Sequence, residues 1–353
     1  MVKGAGKIVA SCFYSPLSTM TQDITQYNIA QYVEGIRSGE RSWIGQAITL
    51  VESSLPADQE VAAQLLDELM PHTGGAYRVG ITGVPGAGKS TLINVLGLLL
   101  IEKGHKVGVL AVDPSSPISG GSIMGDKTRM SSLSQSEHAF VRPSPTHGKL
   151  GGATRATREV LLILEAAGFD AVFVETVGVG QSESVVADMV DFFLLVLIPG
   201  AGDELQGIKR GVVEMADHIV VNKADGDNAE RARRAVSYYR SALQLLTSQH
   251  QNWKPSVGAC SALERTGLDE LWEVVKLHRV ALEETGELVE KRREQQVSWM
   301  WAMLEDRLLS SLRQDDKVAK VLGDVVGQVS QGVLSPPKAA SMLLGAFTGK
   351  DLQ

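Results

Sequence analysis

The apolar positions of this 353-residue chain change their spacing along its length. From Asp23 to about Pro71 they recur at helical intervals. Ile44, Ala47, Ile48 and Val51 share one face, and Val61, Leu65 and Leu69 share another, with Pro56 between the two sets. Short, near-continuous apolar runs follow at Tyr77–Thr82, Lys106–Asp113, Asp170–Thr176, Phe192–Ile198, His218–Asn222 and Val257–Ser261. Helical segments, such as Thr91–Leu100, lie between most of them. Strands that are apolar on both faces and alternate with helices predict a mostly parallel α/β sheet covered by helices. Beyond about Leu268 the strand-like runs stop. Leu271–Leu312 is charged and helical, with a break expected at Gly286. Val318, Val321, Leu322, Val325, Val326 and Val329 mark one face of a further helix, and Ser335-Pro336 opens a last one through Phe347.

These shifts divide the chain into four stretches. Residues 1–22 carry two lysines and no acid and read as a disordered tail. An organelle transit peptide is the weaker reading, because the stretch lacks arginine. Residues 23–73 form an N-terminal helical segment, closed by the linker His72-Thr73-Gly74-Gly75. Residues 74–270 form the α/β domain, and 271–353 a C-terminal helical arm. The arm exceeds what is needed to cover a sheet. Self-association or partner docking, and a helical cap on the same core, are both open. The net charge of −7 gives no electrostatic footprint for a nucleic acid. No apolar run is long enough to span a bilayer. Cys12 and Cys260 lie far apart and point to a reducing compartment, with Cys260 in the core.

Ligands on such sheets bind at the carboxyl ends of the strands, and three polar motifs fall there. Gly83-Val84-Pro85-Gly86-Ala87-Gly88-Lys89-Ser90 fits G-x-x-x-x-G-K-[ST] without a mismatch, between an expected strand and an apolar helix beginning near Thr91. A glycine-rich turn there points successive N–H groups at one spot, where the helix adds its positive end. Lys89 would reach the β/γ-phosphates and the Ser90 hydroxyl would hold Mg2+.

Asn222-Lys223-Ala224-Asp225 follows a later strand and has the N-K-x-D pattern of guanine recognition. The Asp225 carboxylate can accept from both guanine N1–H and the exocyclic amine. Adenine offers no such donor pair, so a buried carboxylate would stay unpaired against it. Asn222 would tie this loop to the phosphate loop, and the Lys223 stem would lie along the base. Ser261-Ala262-Leu263 follows the next strand and would complete the pocket, with the Ala262 N–H toward guanine O6. Glu175-Thr176-Val177-Gly178 ends another strand. Glu175 would reach Mg2+, and Gly178 would let its N–H approach the γ-phosphate. Asp113 and Asp126 supply further carboxylates for the ion.

Together these elements resemble the GTPases of the signal-recognition and metallochaperone superclass, which have a P-loop NTPase fold. Within it, Val112-Asp113-Pro114-Ser115-Ser116-Pro117, the run Gly120–Met130, Glu175–Glu183 and Asp203–Lys209 look like the ArgK/MeaB/MMAA family. The resemblance runs from about Asp23 into the C-terminal helices and is most specific over Gly80–Lys223. It implies a slow GTP hydrolase, using GTP/GDP with Mg2+, that acts as chaperone and gatekeeper for an adenosylcobalamin-dependent methylmalonyl-CoA mutase. The cobalamin would be handled only through that partner. It also implies a homodimer held by C-terminal helices, and a cytoplasmic or, in a eukaryote, mitochondrial-matrix location. The family's switch loops map onto Asp113–Met130, Gly178–Glu183 and Gly200–Lys209. Lys209 is thereby a candidate transition-state cation supplied when the partner binds, with an exposed helix lysine as the bland alternative. Asp126 would orient water only if its loop closes over the nucleotide. Val179 stands where a Ras-like pattern puts glutamine, and Gln181 is displaced by two positions.

Three rivals stand beside this reading: a transport-system kinase, a nickel metallochaperone GTPase, and a scaffold that binds nucleotide without turnover. The kinase reading expects ATP, against which N-K-x-D argues. The metallochaperone needs a Cys/His cluster, and the seven histidines read as scattered, with no ligand set. Complete Lys89, Ser90 and Glu175 positions argue against the scaffold. His147 reads as a loop histidine. Trp299 and Trp301, two apart on a helix, point to different sides, with core packing expected. Lys291-Arg292-Arg293, flanked by Glu287, Glu290 and Glu294, reads as a solvated helix face.

Overall fold

The computed structural model describes residues 28–53, 55–113, 130–145, 150–176, 182–200, 210–244 and 250–349. The 1–22 stretch lies outside them. Seven parallel strands form one sheet: β1 (Tyr77–Gly83), β2 (Val107–Asp113), β3 (Ala139–Pro145), β4 (Ala171–Thr176), β5 (Phe192–Leu197), β6 (His218–Val221) and β7 (Ser256–Ala259). Their spatial order is β3-β2-β4-β1-β5-β6-β7. The six expected strands are all there, with ends shifted by at most two residues. The seventh, β3, was not anticipated. Its run is broken by Pro143 and Pro145, and proline lacks the N–H a central strand must donate. An edge tolerates that, and β3 pairs only with β2.

Each of β4, β5 and β6 is buried at every position, which is why they read as unbroken apolar runs. Helix Lys89–Glu102 covers the sheet, with Leu92, Ile93 and Leu100 fully buried. Helix Leu268–Thr285 also packs on it. Its Trp272 is buried against Tyr77 and Phe173 at ring distances of 5.1 and 6.5 Å. Truncating a core aromatic of this kind to alanine costs about 3–5 kcal/mol.

Before the sheet come helices Ile29–Arg37, Arg41–Glu52 and Pro56–Leu69. Pro56 is the first residue of its helix, where its missing N–H has no partner to lose. Asn28 caps the first helix, accepting from Gln31 N–H at 3.3 Å. Ile36, Ile44, Ile48, Leu65 and Leu69 pack inward in the same core as the sheet. Ion pairs then fix the linker. The Arg78 guanidinium donates twice to Glu165, at 2.9 and 2.7 Å, and Glu165 also accepts from Gly74 N–H at 2.9 Å.

The long helical run after residue 268 does break at Gly286. That residue takes φ 76°, ends helix Leu268–Thr285 and precedes helix Glu287–Gln314. Helices Asp316–Ser330 and Pro336–Thr348 follow. One expectation for the arm fails. Arg292 is not on a solvated face. Its guanidinium donates to both oxygens of buried Asp191, at 2.8 and 2.6 Å, and to the Ala76 carbonyl at 3.0 Å. Lys291 donates to the Asp191 carbonyl at 2.7 Å. Burial disfavours the Asp191 carboxylate, but hydrogen bonds and charge from Arg292, with Arg78 and Lys291, hold its pKa below the usual range. Of the two tryptophans, Trp301 is exposed, whereas Trp299 lines a cavity with Arg155, Glu159 and Arg307.

Candidate functional site

The loop Gly83–Ser90 leaves the carboxyl end of β1, the central strand of the sheet. Its shape depends on glycine. Gly83 has φ 150°, and a Cβ there would lie 2.0 Å from the Val196 carbonyl oxygen of β5. Gly88 has φ 83°, and a Cβ there would lie 2.8 Å from Asn222 Nδ2. Any side chain at either point would force strand or loop apart. Within the loop, Ala87 N–H donates to the Val84 carbonyl at 3.1 Å. Pro85 and Gly86 are exposed, and helix Lys89–Glu102 follows directly, with Ser90 and Thr91 in its first turn. Lys89 is buried, and its ammonium donates to the Gly83 carbonyl at 2.9 Å, curled back over the concave side of the loop.

β4 lies beside β1 and brings Glu175 to the same end. Ile81 and Glu175 are paired in register, and the Ser90 hydroxyl donates to Glu175 Oε1 at 2.9 Å. Behind them Thr176 donates to the Thr82 hydroxyl at 2.9 Å, fixing the two strand ends to each other. Asp113 ends β2 one residue past Val112, whose register partner is Thr176, so its backbone stands at the same sheet edge. A hydroxyl and a carboxylate on adjacent elements are hard oxygen donors and fit Mg2+.

β6 and β7 carry the other half. Asn222 is buried just past β6. Its Nδ2 donates to the Ala87 carbonyl at 2.8 Å, and its Oδ1 accepts from Ala262 N–H at 3.2 Å. The Ala262 N–H, expected to face a base oxygen, is engaged with Asn222 here. One amide thus holds three loops. Lys223 takes φ 60°, a left-handed conformation rare for a side-chain-bearing residue, and leaves its side chain exposed. Ala224 N–H donates to the Cys260 carbonyl at 3.0 Å. The Ser261 hydroxyl donates to Asp225 and accepts from Glu264 N–H at 3.0 Å. A single carboxylate, Asp225, is therefore oriented from behind beside an open rim formed by Lys223 and Leu263. Cys260 is buried, and burial pushes its thiol up to about 12.

The description of a methylmalonyl-CoA mutase-associated GTPase, MeaB, matches residues 44–317. The chain belongs to this family. The chain is similar to a probable GTPase of Mycobacterium tuberculosis, 52% identical over 309 residues that span 88% of this chain and 92% of the relative. The GTPase ArgK of Escherichia coli is 48% identical over 313 residues, spanning 89% and 95%. A mitochondrial methylmalonic aciduria type A homologue of Mus musculus is 42% identical over 355 residues, spanning 96% and 85%. Among solved structures, an LAO/AO transport system kinase superposes with a TM-score of 0.70 at 40% identity, covering 91% of this chain and 97% of its own. The family is a GTPase family, and the parallel sheet with its glycine-rich loop is its P-loop architecture.

The fold thus gathers Gly83, Val84, Pro85, Gly86, Ala87, Gly88, Lys89, Ser90, Thr91, Glu175, Asn222, Lys223, Asp225, Ser261, Ala262 and Leu263 at one end of the sheet. Asp126, Gly178 and Lys209 lie outside the described residues, as do Gln181 and His147. Contrary to what their spacing in the chain suggests, the histidines are not all scattered. His250 and His278 meet Asp217 at the opposite end of the strands, with ligand atoms all within 4.8 Å of one another. The three are far apart in the chain, and no short spacing could reveal them.

Proposed function

We propose that this chain is a Mg2+-dependent GTP hydrolase that serves an adenosylcobalamin-dependent methylmalonyl-CoA mutase, gating cofactor loading and protecting or reactivating the enzyme. The observation that carries the nucleotide half is Asn222. It joins the phosphate loop, through the Ala87 carbonyl, to the loops that present Asp225 and Ala262. A purine and a polyphosphate chain would bridge those two places. The mutase half rests on membership of a mutase-associated family and on the name of the mouse relative.

On this reading the loop N–H groups of Gly83–Ser90, with Thr91 in the first turn, cradle the phosphates. Lys89 leaves the Gly83 carbonyl for the β/γ-phosphates. Ser90 and Glu175 hold Mg2+, with Asp113 and Asp126 as further carboxylates. When bound, the ion would neutralise charge on the phosphates. Asp225 selects guanine, Ser261 keeps its carboxylate aimed, and Lys223 and Leu263 close the rim over the base. Gly178 would approach the γ-phosphate. Lys209, on a switch loop, would add a cation when the partner binds, and Asp126 would orient water. Intrinsic turnover is slow and partner-stimulated, because no water-orienting glutamine follows Gly178.

The domain division at residues 23–73, 74–270 and 271–353 belongs to the same proposal, as does a homodimer formed through the arm. Val297, Trp301, Leu304 and Leu308 are exposed at intervals of four, three and four on helix Glu287–Gln314. That is the seam spacing of helix pairing. Neither nucleic acid nor membrane is a partner. The cytoplasm is the proposed location, or the mitochondrial matrix in a eukaryote.

Calorimetry in magnesium buffer tests the nucleotide half: GTP and GDP bind, ATP does not, and Lys89→Ala weakens GTP by about two orders of magnitude. Equal affinity for ATP would instead favour the kinase reading carried by the name of the superposed structure. Pull-down of a purified cobalamin-dependent mutase tests the partner half, with capture that changes between GTP and no nucleotide as the expected result.

A further inference from the structure

At the amino-terminal end of the sheet, away from the nucleotide cleft, Asp217, His250 and His278 converge. Asp217 directly precedes β6, His250 lies ahead of β7, and His278 is on helix Leu268–Thr285. His250 Nε2 is 3.2 Å from Asp217 Oδ1, and His278 Nε2 is 3.7 Å from the same oxygen. The relative exposures of Asp217, His250 and His278 are 3%, 9% and 1%.

Two of the three donors are aimed from behind. Phe193 N–H donates to Asp217 Oδ2 at 2.8 Å, which leaves Oδ1 facing the imidazoles. Glu287 Oε1 lies 2.8 Å from His250 Nδ1 and places the proton there. A carboxylate behind one ring nitrogen, with the other nitrogen turned inward, is the arrangement that orients metal-ligating histidines. His278 Nε2, on a side chain almost wholly buried, has no hydrogen-bond partner. Native structures rarely leave such an atom unsatisfied.

The Lys291 ammonium stands 3.4 Å from His250 Nε2. Nε2 also lies 3.2 Å from Asp217 Oδ1, a hydrogen bond that an entering ion would replace. A cation shared by Asp217 Oδ1 and the two imidazole nitrogens would take the place of that contact and also satisfy His278 Nε2. Lys291 supplies part of that positive charge from one side. A cavity of about 590 Å3, lined by Asp217, His250, Glu287 and Lys291, opens beside the cluster and leaves room for an entering ion and a water.

We propose that Asp217, His250 and His278 form a binding site for one zinc-type divalent ion, with Lys291 as a built-in competitor. One carboxylate oxygen and two imidazole nitrogens, with a water as fourth ligand, match the preferences of Zn2+ and not those of Mg2+. The ion would fasten helix Leu268–Thr285 and the segment before β7 to the foot of β6. Through Glu287 it would also hold the first turn of helix Glu287–Gln314. The site lies at the opposite end of the sheet from the nucleotide cleft, so it does not revive the nickel-delivery reading.

The test uses the full chain, stripped with a chelator and kept in Mg2+ and GDP. Co2+ is the optical probe. A visible tetrahedral band should saturate at one equivalent and be displaced by Zn2+, and Zn2+ should raise the melting temperature. Glu287→Gln should weaken binding about 10- to 100-fold, and Lys291→Met should tighten it. His278→Gln, if folded by circular dichroism, should abolish the band. Absence of a saturable band overturns the proposal and leaves His250 as a hydrogen-bonding link between Glu287 and Asp217. So does an undiminished band in folded His278→Gln. If that variant does not fold, X-ray absorption of the zinc-loaded native chain decides: two imidazole ligands support the site, and fewer than two refute it.

Discussion

Among single residues, Asp225 and Glu159 are two carboxylates in different surroundings. Asp225 is half-buried and held by the Ser261 hydroxyl. Asp225→Asn should weaken GTP by about 10- to 100-fold and move preference toward xanthine nucleotides. The new amide oxygen can still accept from N1–H, but its N–H opposes the guanine exocyclic amine and suits the second xanthine carbonyl. Competition binding with XTP against GTP measures this, and retained guanine selectivity would remove Asp225 from the base pocket. Glu159 sits 3.7 Å from Arg155 and lines a cavity with Trp299. Burial pushes its carboxyl up to about 7, against the pull of Arg155 and Arg307. A raised acid favours the fold most where it is protonated. Its contribution is complete below its unfolded value and is lost as pH rises through about 7. Glu159→Gln should therefore match the native chain near pH 4 and exceed it by up to about 3 kcal/mol above pH 8. Urea midpoints across that range check the sign.

For single elements, legibility tracked how each one satisfies its backbone. β4, β5 and β6 are buried on both faces, and their sequences said so as plain apolar runs. β3 was invisible because an edge strand may carry Pro143 and Pro145, which a pattern search treats as breakers. The phosphate loop was legible for the opposite reason. Gly83 and Gly88 admit no Cβ, so chemistry and backbone conformation point to the same residues. Arg292 was misread because it sits in a densely charged run with Glu290 and Glu294, where Arg293 does pair along the helix with Glu290. The real partner of Arg292, Asp191, is 101 residues away. Arg292→Ala should lower stability by about 3 kcal/mol, the low end for breaking a buried pair, because Asp191 still accepts from Arg78 N–H at 3.2 Å. Chemical denaturation reads that loss, and Arg292→Lys should recover only part of it, since the two-pronged contact is gone.

Across the whole molecule, the two halves of the proposed nucleotide cleft come from opposite flanks of β1. β4 lies on one side, and β5, β6 and β7 on the other. The sheet order could not be read from the sequence, but the motifs could, because each ends a strand. The arm reaches back to the core through Arg292 and Lys291 while displaying Trp301 and Leu304 outward. Leu304→Asp should convert a homodimer to monomer in sedimentation without lowering GTP affinity. A native chain that sediments as a monomer at all concentrations would leave that row of side chains to another partner.

The Ser90–Glu175 contact bears on the order in which things arrive. A carboxylate already resting on the hydroxyl at the mouth of the phosphate cradle would repel a bare polyphosphate. Nucleotide and divalent ion should then enter as one complex, so that apparent affinity for GTP climbs with free magnesium until the nucleotide is fully chelated, and Glu175→Gln flattens that climb.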